Sequence, residues 1–228
     1  MQNKKKWEKI GLVYYRNNVN NHWWVSHTMA PSAIELNEKT IRVFIGCWDK
    51  NGISRIGWID LNSENPLEVK DISEEPILNI GDPGCFDDNG VFPAHAYKIK
   101  NEIWLYYTGF QIGQKVRHYN FGGLAISKDG KEFQRVSKAP VLDRSDEGLM
   151  VRAGQSVLLE ENIFKTVYSA GSGWAEVGGK KRPIYDVYYQ ESVDGFSYKK
   201  NGSLIIKHNP KFEHGLGRPQ ILYLNNEK

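Results

Sequence analysis

The chain of 228 residues has few cysteines, no long apolar run and no helical periodicity. Two cysteines, Cys47 and Cys85, are too few for a disulfide framework, and their spacing matches no metal-binding motif. No stretch approaches the roughly 18 consecutive apolar residues of a membrane-spanning helix. The N-terminal segment MQNKKKWEKI also lacks the apolar core of a signal peptide. We therefore expect a cytoplasmic protein that does not contact a membrane.

The chain also carries little charge of one sign. Its formal net charge is +3, and part of that comes from the run Lys4 to Lys6. A nucleic-acid-binding protein more often shows a basic stripe, so we expect no nucleic-acid partner.

Glycines and aromatic residues are abundant instead, with 22 Gly, 12 Tyr and 7 Trp. Aromatic side chains suit a pleated surface and glycines suit tight turns, so this composition favours β-structure. Related segments begin at residues 31, 93, 154 and 218, which are 62, 61 and 64 residues apart. Each begins with a short apolar run, turns on polar residues, and returns as a second apolar run.

The first three repeats continue with a third run and a short fourth one, and the turns KDG and VDG precede two of the fourth runs. Four short antiparallel strands at a constant period indicate an all-β fold, a β-propeller built from four-stranded blades. A sandwich of hairpins is the alternative, but it offers no reason for the period. We expect one domain over 1–228, with units at 22–72, 87–137 and 150–201, a partial unit at 213–228, and an outer strand of a closing blade at 7–15.

The chain is shorter than a five-bladed ring of this period, which would need about 300 residues. We therefore expect an incomplete propeller whose open edges favour self-association.

The residues just before each first strand should converge at one face of a propeller, around a central funnel. We call these the lead-in segments: WWVSHTMAP (23–31), FDDNGVFP (86–93), EGLMVRAG (147–154) and FEHGLGRP (212–219). Together with the Gly-rich hairpin GSGWAEVGGK they supply the candidate site residues, which are His27, Asp87, Asp88, Glu147, Arg152, Glu213, His214, Arg218, Trp23, Trp24 and Trp174.

Carboxylates, guanidinium groups and tryptophans in one funnel suit a carbohydrate, which offers hydroxyls and an apolar ring face. Glycoside cleavage needs two carboxyl groups across the bond. Structural roles remain open: Asp88 in an Asx turn before Asn89-Gly90, Asp87 as a solvated residue, and Arg152 and Arg218 as ion-pair partners between blades. The Gly-rich hairpin lacks the strand–loop–helix context of a phosphate loop. We predict no cofactor, although a structural Ca²⁺ in the channel stays open.

Several runs resemble the five-bladed propeller proteins related to glycoside hydrolase families 43, 32 and 130, in a branch associated with bacterial surface-polysaccharide genes. They are SRIGWIDL, FDDNGVFPAHA, YYTGF, GLAISKDGKEFQRV, PVLDRS, YSAGSGWAEVGGK and GRPQIL. The resemblance implies a site in the funnel, with Asp88 or Asp87 as an acidic residue of the second blade and Glu213 as an acid at the fourth. The first blade has Ser26-His27 where the family has an Asp.

Our leading hypothesis is a glycoside-hydrolase-like enzyme of polysaccharide metabolism, with Asp88 and Glu213 as catalytic carboxylates. In that hypothesis the remaining residues bind substrate: His27, Asp87, Arg152, Arg218, Trp24 and Trp174. A non-catalytic carbohydrate-binding or scaffold propeller is the alternative. The third hypothesis is a phosphate-dependent phosphorylase in which the two arginines hold phosphate.

Overall fold

The structure is a computed structural model that describes residues 8–15 and 22–222. The described residues form twelve β-strands and no helix. The strands are β1 Ser26–Asn37, β2 Thr40–Trp48, β3 Ser54–Asn62, β4 Val69–Ile72, β5 Val91–Ile99, β6 Glu102–Ile112, β7 His118–Ser127, β8 Gln134–Arg135, β9 Val151–Glu160, β10 Ile163–Val177, β11 Lys180–Ser192 and β12 Ser203–Ile206.

Three blades follow one another along the chain, and each is a meander of four antiparallel strands. The first blade pairs in the order β1-β2-β3-β4, the second pairs β5-β6-β7-β8, and the third pairs β9-β10-β11-β12. Within each blade consecutive strands are neighbours, as short turns require. The sequence repeat therefore corresponds to the structural repeat.

The turns after β7 and β11 share a Ser-x-Asp-Gly pattern. The Ser127 hydroxyl accepts a hydrogen bond from the Gly130 N–H, and Asp129 Oδ1 accepts bonds from the next two backbone N–H groups. Gly130 has a φ of +73°, which glycine adopts without steric cost. Ser192, Asp194 and Gly195 repeat the arrangement. These bonds stabilise the charged carboxylates and lower the pKa of Asp129 to about 2.

Apolar side chains fill the space between neighbouring blades. Phe44 and Trp58 of the first blade pack in one cluster with Leu105 of the second. A second cluster joins Tyr106 of the second blade to Phe164 of the third. The blades therefore pack face to face, and each buries the apolar side of its neighbour.

Side-chain-to-backbone hydrogen bonds at related positions join the first strand of each blade to the next repeat along the chain. Ser32 Oγ accepts a bond from the Ala96 N–H at 2.7 Å. His95 Nδ1 accepts one from the Val157 N–H at 3.1 Å. Ser156 Oγ accepts one from the Ile221 N–H at 3.2 Å. Each bond spans one repeat, and we call these three bonds the inner-strand links.

Polar contacts also connect the blades further from the centre. Arg42 Nη1 donates to the Gly130 carbonyl in the second blade, and Tyr106 Oη donates to the Gly195 carbonyl in the third. Both acceptors lie in the Ser-x-Asp-Gly turns. These turns therefore serve as docking points for the preceding blade.

The structure differs from the predicted organisation in three details. The second and third blades form one eight-stranded sheet, because β7 pairs in parallel with β9 over two residue pairs where both strands begin. The predicted outer strand at 7–15 is not a strand over its described part, since 8–15 is irregular and its Val13 and Tyr14 pack against the first blade. In the predicted partial unit, 213–222 forms no strand and 223–228 lies outside the described residues.

The inner-strand link through His95 predicts pH-dependent stability. Burial, together with the nearby Arg218, lowers the pKa of His95 from 6.5 to about 4, because protonation would place a second cation beside the guanidinium and remove the acceptor at Nδ1. The unfolded chain then binds a proton more readily than the folded one between pH 6.5 and pH 4. This group leaves the free energy of unfolding unchanged above about pH 6.5. As the pH falls towards 4, it lowers that free energy by up to about 3 kcal/mol.

Urea unfolding between pH 7 and pH 4 measures this loss. The His95→Gln variant keeps an acceptor atom without the titration, so its difference in unfolding free energy from the wild type should shrink as the pH falls. His22→Gln removes an exposed histidine and should retain the wild-type decline. An unchanged decline in His95→Gln would contradict the assignment.

Candidate functional site

A cavity of about 550 Å³ opens at the end of the second and third blades where their first strands begin. Its walls come from the first residues of β5, β7, β9 and β11, from the parts of β6 and β10 that pair with them, and from the last lead-in segment. The lining residues are Phe92, Thr108, His118, Asn120, Val151, Ala153, Gly154, Ser169, Pro183, Tyr185, Gly217 and Arg218.

The cavity wall contains both ring surfaces and polar side chains. Phe92, Pro183 and Tyr185 supply ring surfaces. Thr108 and Ser169 already have partners, since Thr108 Oγ1 accepts a bond from the Gly154 N–H and Ser169 donates to the Leu216 carbonyl. These bonds join the walls to one another.

Three buried polar atoms of the lining have no hydrogen-bond partner within the described residues. They are His118 Nδ1, Asn120 Oδ1 and Arg218 Nε. Buried polar groups in folded proteins are nearly always paired with protein, water or ligand. The side chains that carry these atoms line the cavity, and the atoms comprise a donor, an acceptor and an imidazole nitrogen.

Arg218 lies where the lead-in segments converge. Its Nη2 donates to the carbonyl oxygens of Ala30, Pro31 and Ala94, at 3.2, 3.1 and 3.2 Å. Its Cγ and backbone also approach Gly154 closely enough to meet a Cβ added there at 3.4 to 3.5 Å. Arg218 itself has a φ of +50°, a conformation uncommon for a residue with a Cβ. One side chain therefore connects the last lead-in segment to all three blades.

The imidazole in the cavity wall is disfavoured as a cation. His118 stacks on Phe110 with ring centroids 4.8 Å apart. Burial, with a contribution from Arg117, lowers the pKa of His118 below its usual 6.5. At neutral pH the ring is therefore neutral, so one of its nitrogens donates a hydrogen bond and the other accepts one.

The two adjacent aspartates of the second lead-in segment have separate structural partners. The Asp87 side chain is 1% exposed, and its Oδ2 accepts bonds from Arg135 Nε at 2.8 Å and from Tyr107 Oη at 3.1 Å. Asp88 Oδ2 accepts a bond from the Gly84 N–H, so its carboxylate bonds its own loop. Neither residue lines the cavity. The predicted sugar contact of Asp87 gives way to an ion pair inside the second blade.

Arg152 is also an internal residue. Its Nε donates to Glu147 Oε1 at 2.9 Å, and its other nitrogens donate to the carbonyls of Asp143 and Lys199. The Arg152 and Glu147 side chains are only 4% and 6% exposed. This placement differs from the predicted substrate contact, because the chain folds back to bury the pair within the third blade.

The predicted residues of the first lead-in segment lie in the core or outside the cavity. Trp24 is fully buried in a cluster with Trp23 and Tyr14, and its Nε1 donates to the His27 carbonyl. It therefore has a packing role and no surface to offer a sugar. The His27 ring stacks on Trp48 at 4.2 Å and is exposed, but it does not line the cavity.

The last two predicted residues lie on exposed segments. Glu213 Oε1 accepts a bond from the Asn209 N–H, so this carboxylate bonds its own turn outside the cavity. Trp174 lies on the long β10–β11 hairpin, opposite Pro183 in the strand register. Because Pro183 lines the cavity, the hairpin that carries Trp174 forms part of the rim.

Arg218 is thus the one predicted site residue that lines the cavity. The sequence analysis did not include His118, Asn120 and Tyr185, because it took its candidates from the lead-in segments and one Gly-rich hairpin. All three residues lie near the beginning of the third strand of a blade, at the same face. The signal for them was the hairpin turn after β6 and the Gly-rich turn after β10, which the alternating strand directions place at that face.

No group of three or more histidine, cysteine or acidic side chains in 8–15 and 22–222 is arranged to hold a metal ion. The cavity lining offers one imidazole and no carboxylate. Among the described residues there is also no helix long and apolar enough to cross a membrane.

Comparison with solved structures identifies the architecture. A thermostable family-43 glycoside hydrolase superimposes with a TM-score of 0.58 at 17% identity, over 87% of this chain and 62% of that chain. The family 117 glycoside hydrolase Zg3597 of Zobellia galactanivorans gives a TM-score of 0.58 at 16% identity, over 86% and 51% of the two chains. The fold is a β-propeller. Its neighbours are propeller glycoside hydrolases, so the predicted all-β, four-stranded blade architecture is confirmed.

A third propeller structure comes from family 130, described as mannoside phosphorylases that include glycoside hydrolases acting on β-1,2 mannosidic linkages in Candida mannan. It gives a TM-score of 0.53 at 18% identity, over 81% of this chain and 52% of that chain. The chain therefore spans about half to three fifths of the length of these structures. At these identities the likeness concerns the fold.

Sequence comparison finds relatives without a described activity. The uncharacterised protein Rv1502 of Mycobacterium tuberculosis is 26% identical over 216 residues, which is 95% of this chain and 71% of the relative. A protein of a second strain of that organism is 27% identical, over 88% of this chain and 66% of its own length. No protein-family profile matches the sequence.

The burial of Arg152 predicts a large effect on stability. Replacing Arg152 with Met leaves Glu147 buried without its cationic partner, so we expect the unfolding free energy to fall by about 3–5 kcal/mol. Lys200→Met is the matched control, because it removes a cation paired with Asp146 in which both side chains are more than 70% exposed. That control should change stability by less than about 1 kcal/mol. Chemical denaturation of both variants measures the difference, and equal effects would contradict the assignment.

Proposed function

We propose that this chain forms a carbohydrate-binding funnel of a carbohydrate-active propeller, with the ligand in the cavity between the second and third blades. The observation that carries the proposal is the set of unpaired buried atoms, His118 Nδ1, Asn120 Oδ1 and Arg218 Nε, in the cavity wall. A volume of about 550 Å³ lies within the range of small-molecule sites.

The lining chemistry supports a sugar over a purely apolar ligand. A sugar ring presents hydroxyls that both donate and accept, and a face of C–H groups. The hydroxyls match the unpaired amide, imidazole and guanidinium atoms, and the C–H face matches the rings of Phe92 and Tyr185. The same lining would leave polar atoms unpaired against an apolar ligand, at a cost in binding free energy.

The lining also favours binding over hydrolysis by these residues. Glycoside cleavage needs one carboxyl group as acid and another as base or nucleophile, on opposite sides of the bond. None of the twelve described residues that line the cavity is an Asp or Glu. The predicted pair, Asp88 and Glu213, bonds backbone N–H groups of its own loops outside the cavity.

Tyr185 provides the test of binding. Tyr185→Ala removes a ring from the cavity wall, so we expect about a tenfold loss of affinity for a bound sugar. Phe212→Ala is the matched control, because Phe212 is 85% exposed and lies outside the cavity. A glycan array followed by titration calorimetry measures both. Equal affinities of the two variants for every glycan bound by the wild type would overturn the placement of the site.

Hydrolysis or phosphorolysis of a glycoside is the second candidate function. It is favoured by the fold likeness to glycoside hydrolases of families 43 and 117 and to the family 130 protein. In this candidate Asp88 and Glu213 keep their predicted catalytic roles, and Arg218 holds a hydroxyl or phosphate.

An aryl-glycoside screen with and without phosphate separates the two candidates. We expect no turnover by the wild type, because the cavity lining contains no carboxylate. Turnover that falls at least about a hundredfold in Asp88→Asn or Glu213→Gln would establish the second candidate instead. The Asp82→Asn variant is the control, because its exposed carboxylate pairs with Lys138 on the surface.

A further inference from the structure

Arg218 differs from three other arginines of the blades in lacking a carboxylate partner. Three guanidinium groups in the blades each have an acidic partner: Arg42 pairs with Asp60, Arg135 with Asp87, and Arg152 with Glu147. Arg218 donates only to carbonyl oxygens, and no carboxylate among the described residues lies within ion-pair distance.

An anionic partner for the Arg218 guanidinium would lie in the cavity. Arg218 Nε is buried and unpaired, and the residue lines the cavity. A desolvated guanidinium is stabilised most by an oxyanion, which can accept charge-assisted hydrogen bonds. Burial without such a partner lowers the pKa of Arg218 and, through its charge, contributes to the lowered pKa of His95. The centre of the funnel is therefore electropositive and uncompensated within 8–15 and 22–222.

The rim of the cavity has the same sign of charge. The turn between β6 and β7 carries Lys115 and Arg117, and the first three residues of β11 are Lys180, Lys181 and Arg182, all exposed. Glu176, near the end of β10, is the acidic residue of these two hairpin tips. No ion pair within 4.0 Å neutralises any of the five cations among the described residues.

The charge is not a general property of the blade ends. At the opposite end of the same blades, the turns Lys100-Asn101 and Glu161-Asn162 carry one charge of each sign, and the turn 128–133 after β7 carries two of each sign. A positive rim above a positive floor attracts anions over a distance and holds them at the bottom.

We infer that the funnel selects a sugar that carries an oxyanion, such as a carboxylate, sulfate or phosphate group, and that Arg218 Nε binds this group. The inference rests on the proposed carbohydrate-binding function and adds the chemical class of the ligand. Asn120 and His118 then bond the hydroxyls of the same sugar. Arg218 is the specificity-determining residue, and the rim cations accelerate association.

Titration calorimetry at low salt tests the inference with matched ligands. The neutral probe is methyl glucoside, and the anionic probes are methyl glucuronide, glucose 6-sulfate and glucose 6-phosphate. Inorganic sulfate and phosphate are measured alone. We expect at least one anionic sugar to bind about tenfold or more tightly than the neutral one, with a preference that declines as salt is added. The best of the three identifies the oxyanion.

Two variants locate the preference. Arg218→Gln should bring the ratio of anionic to neutral affinity close to one while the neutral sugar still binds. Arg218→Gln also removes the hydrogen bonds of Arg218 to three carbonyl oxygens, so a second variant that keeps those bonds is needed. Lys180→Gln with Lys181→Gln is that variant, and it should slow association of the anionic sugar severalfold. Lys128→Gln with Lys131→Gln removes two exposed charges at the opposite end and should change neither quantity.

The outcomes distinguish this inference from the proposed function. Neutral and anionic sugars bound equally well, or an anionic preference that survives in Arg218→Gln, would overturn the inference and leave the binding function standing. No binding of any sugar would overturn both. Inorganic phosphate or sulfate bound as tightly as its sugar derivative would show an anion site without sugar selection, which also overturns the inference.

Discussion

The three-blade assembly depends on the inner-strand links, the hydrogen bonds that join the first strand of each blade to the next repeat along the chain. These strands lie side by side around the channel, yet most of their backbone groups do not form a common ladder. Ser32, His95 and Ser156 bond the N–H groups of the following blade at spacings of 64, 62 and 65 residues. Because a buried N–H without an acceptor is costly, these positions require an acceptor side chain.

The links also position the funnel. They hold the starts of β5 and β9 beside each other, where the short parallel pairing of β7 with β9 completes the wall. The last link reaches Ile221, three residues after Arg218, and so anchors the segment that carries the guanidinium into the centre. The position of Arg218 in the cavity is therefore a consequence of how the blades join.

Charge pairing separates the structural groups of this protein from the binding groups. Asp87 and Arg152 looked like site residues because they are charged and precede first strands. Each is almost fully buried and paired within its own blade, with Arg135 and Glu147 respectively. Arg218 is half-buried, and its guanidinium has only carbonyl partners. This contrast distinguishes the groups, and it appears only when their neighbours are known.

The sequence by itself determined the strands, their order in each blade and the turns, because apolar alternation and Asp-Gly turns act over a few residues and recur at each period. It also pointed to the lead-in segments, and one of the residues predicted there, Arg218, lines the cavity. Tertiary structure decided which side chains reach that funnel. Trp24 turns into the core, Asp88 bonds its own loop, and Asn120 enters the wall from a third strand. These orientations depend on packing between blades about sixty residues apart, which local sequence does not encode.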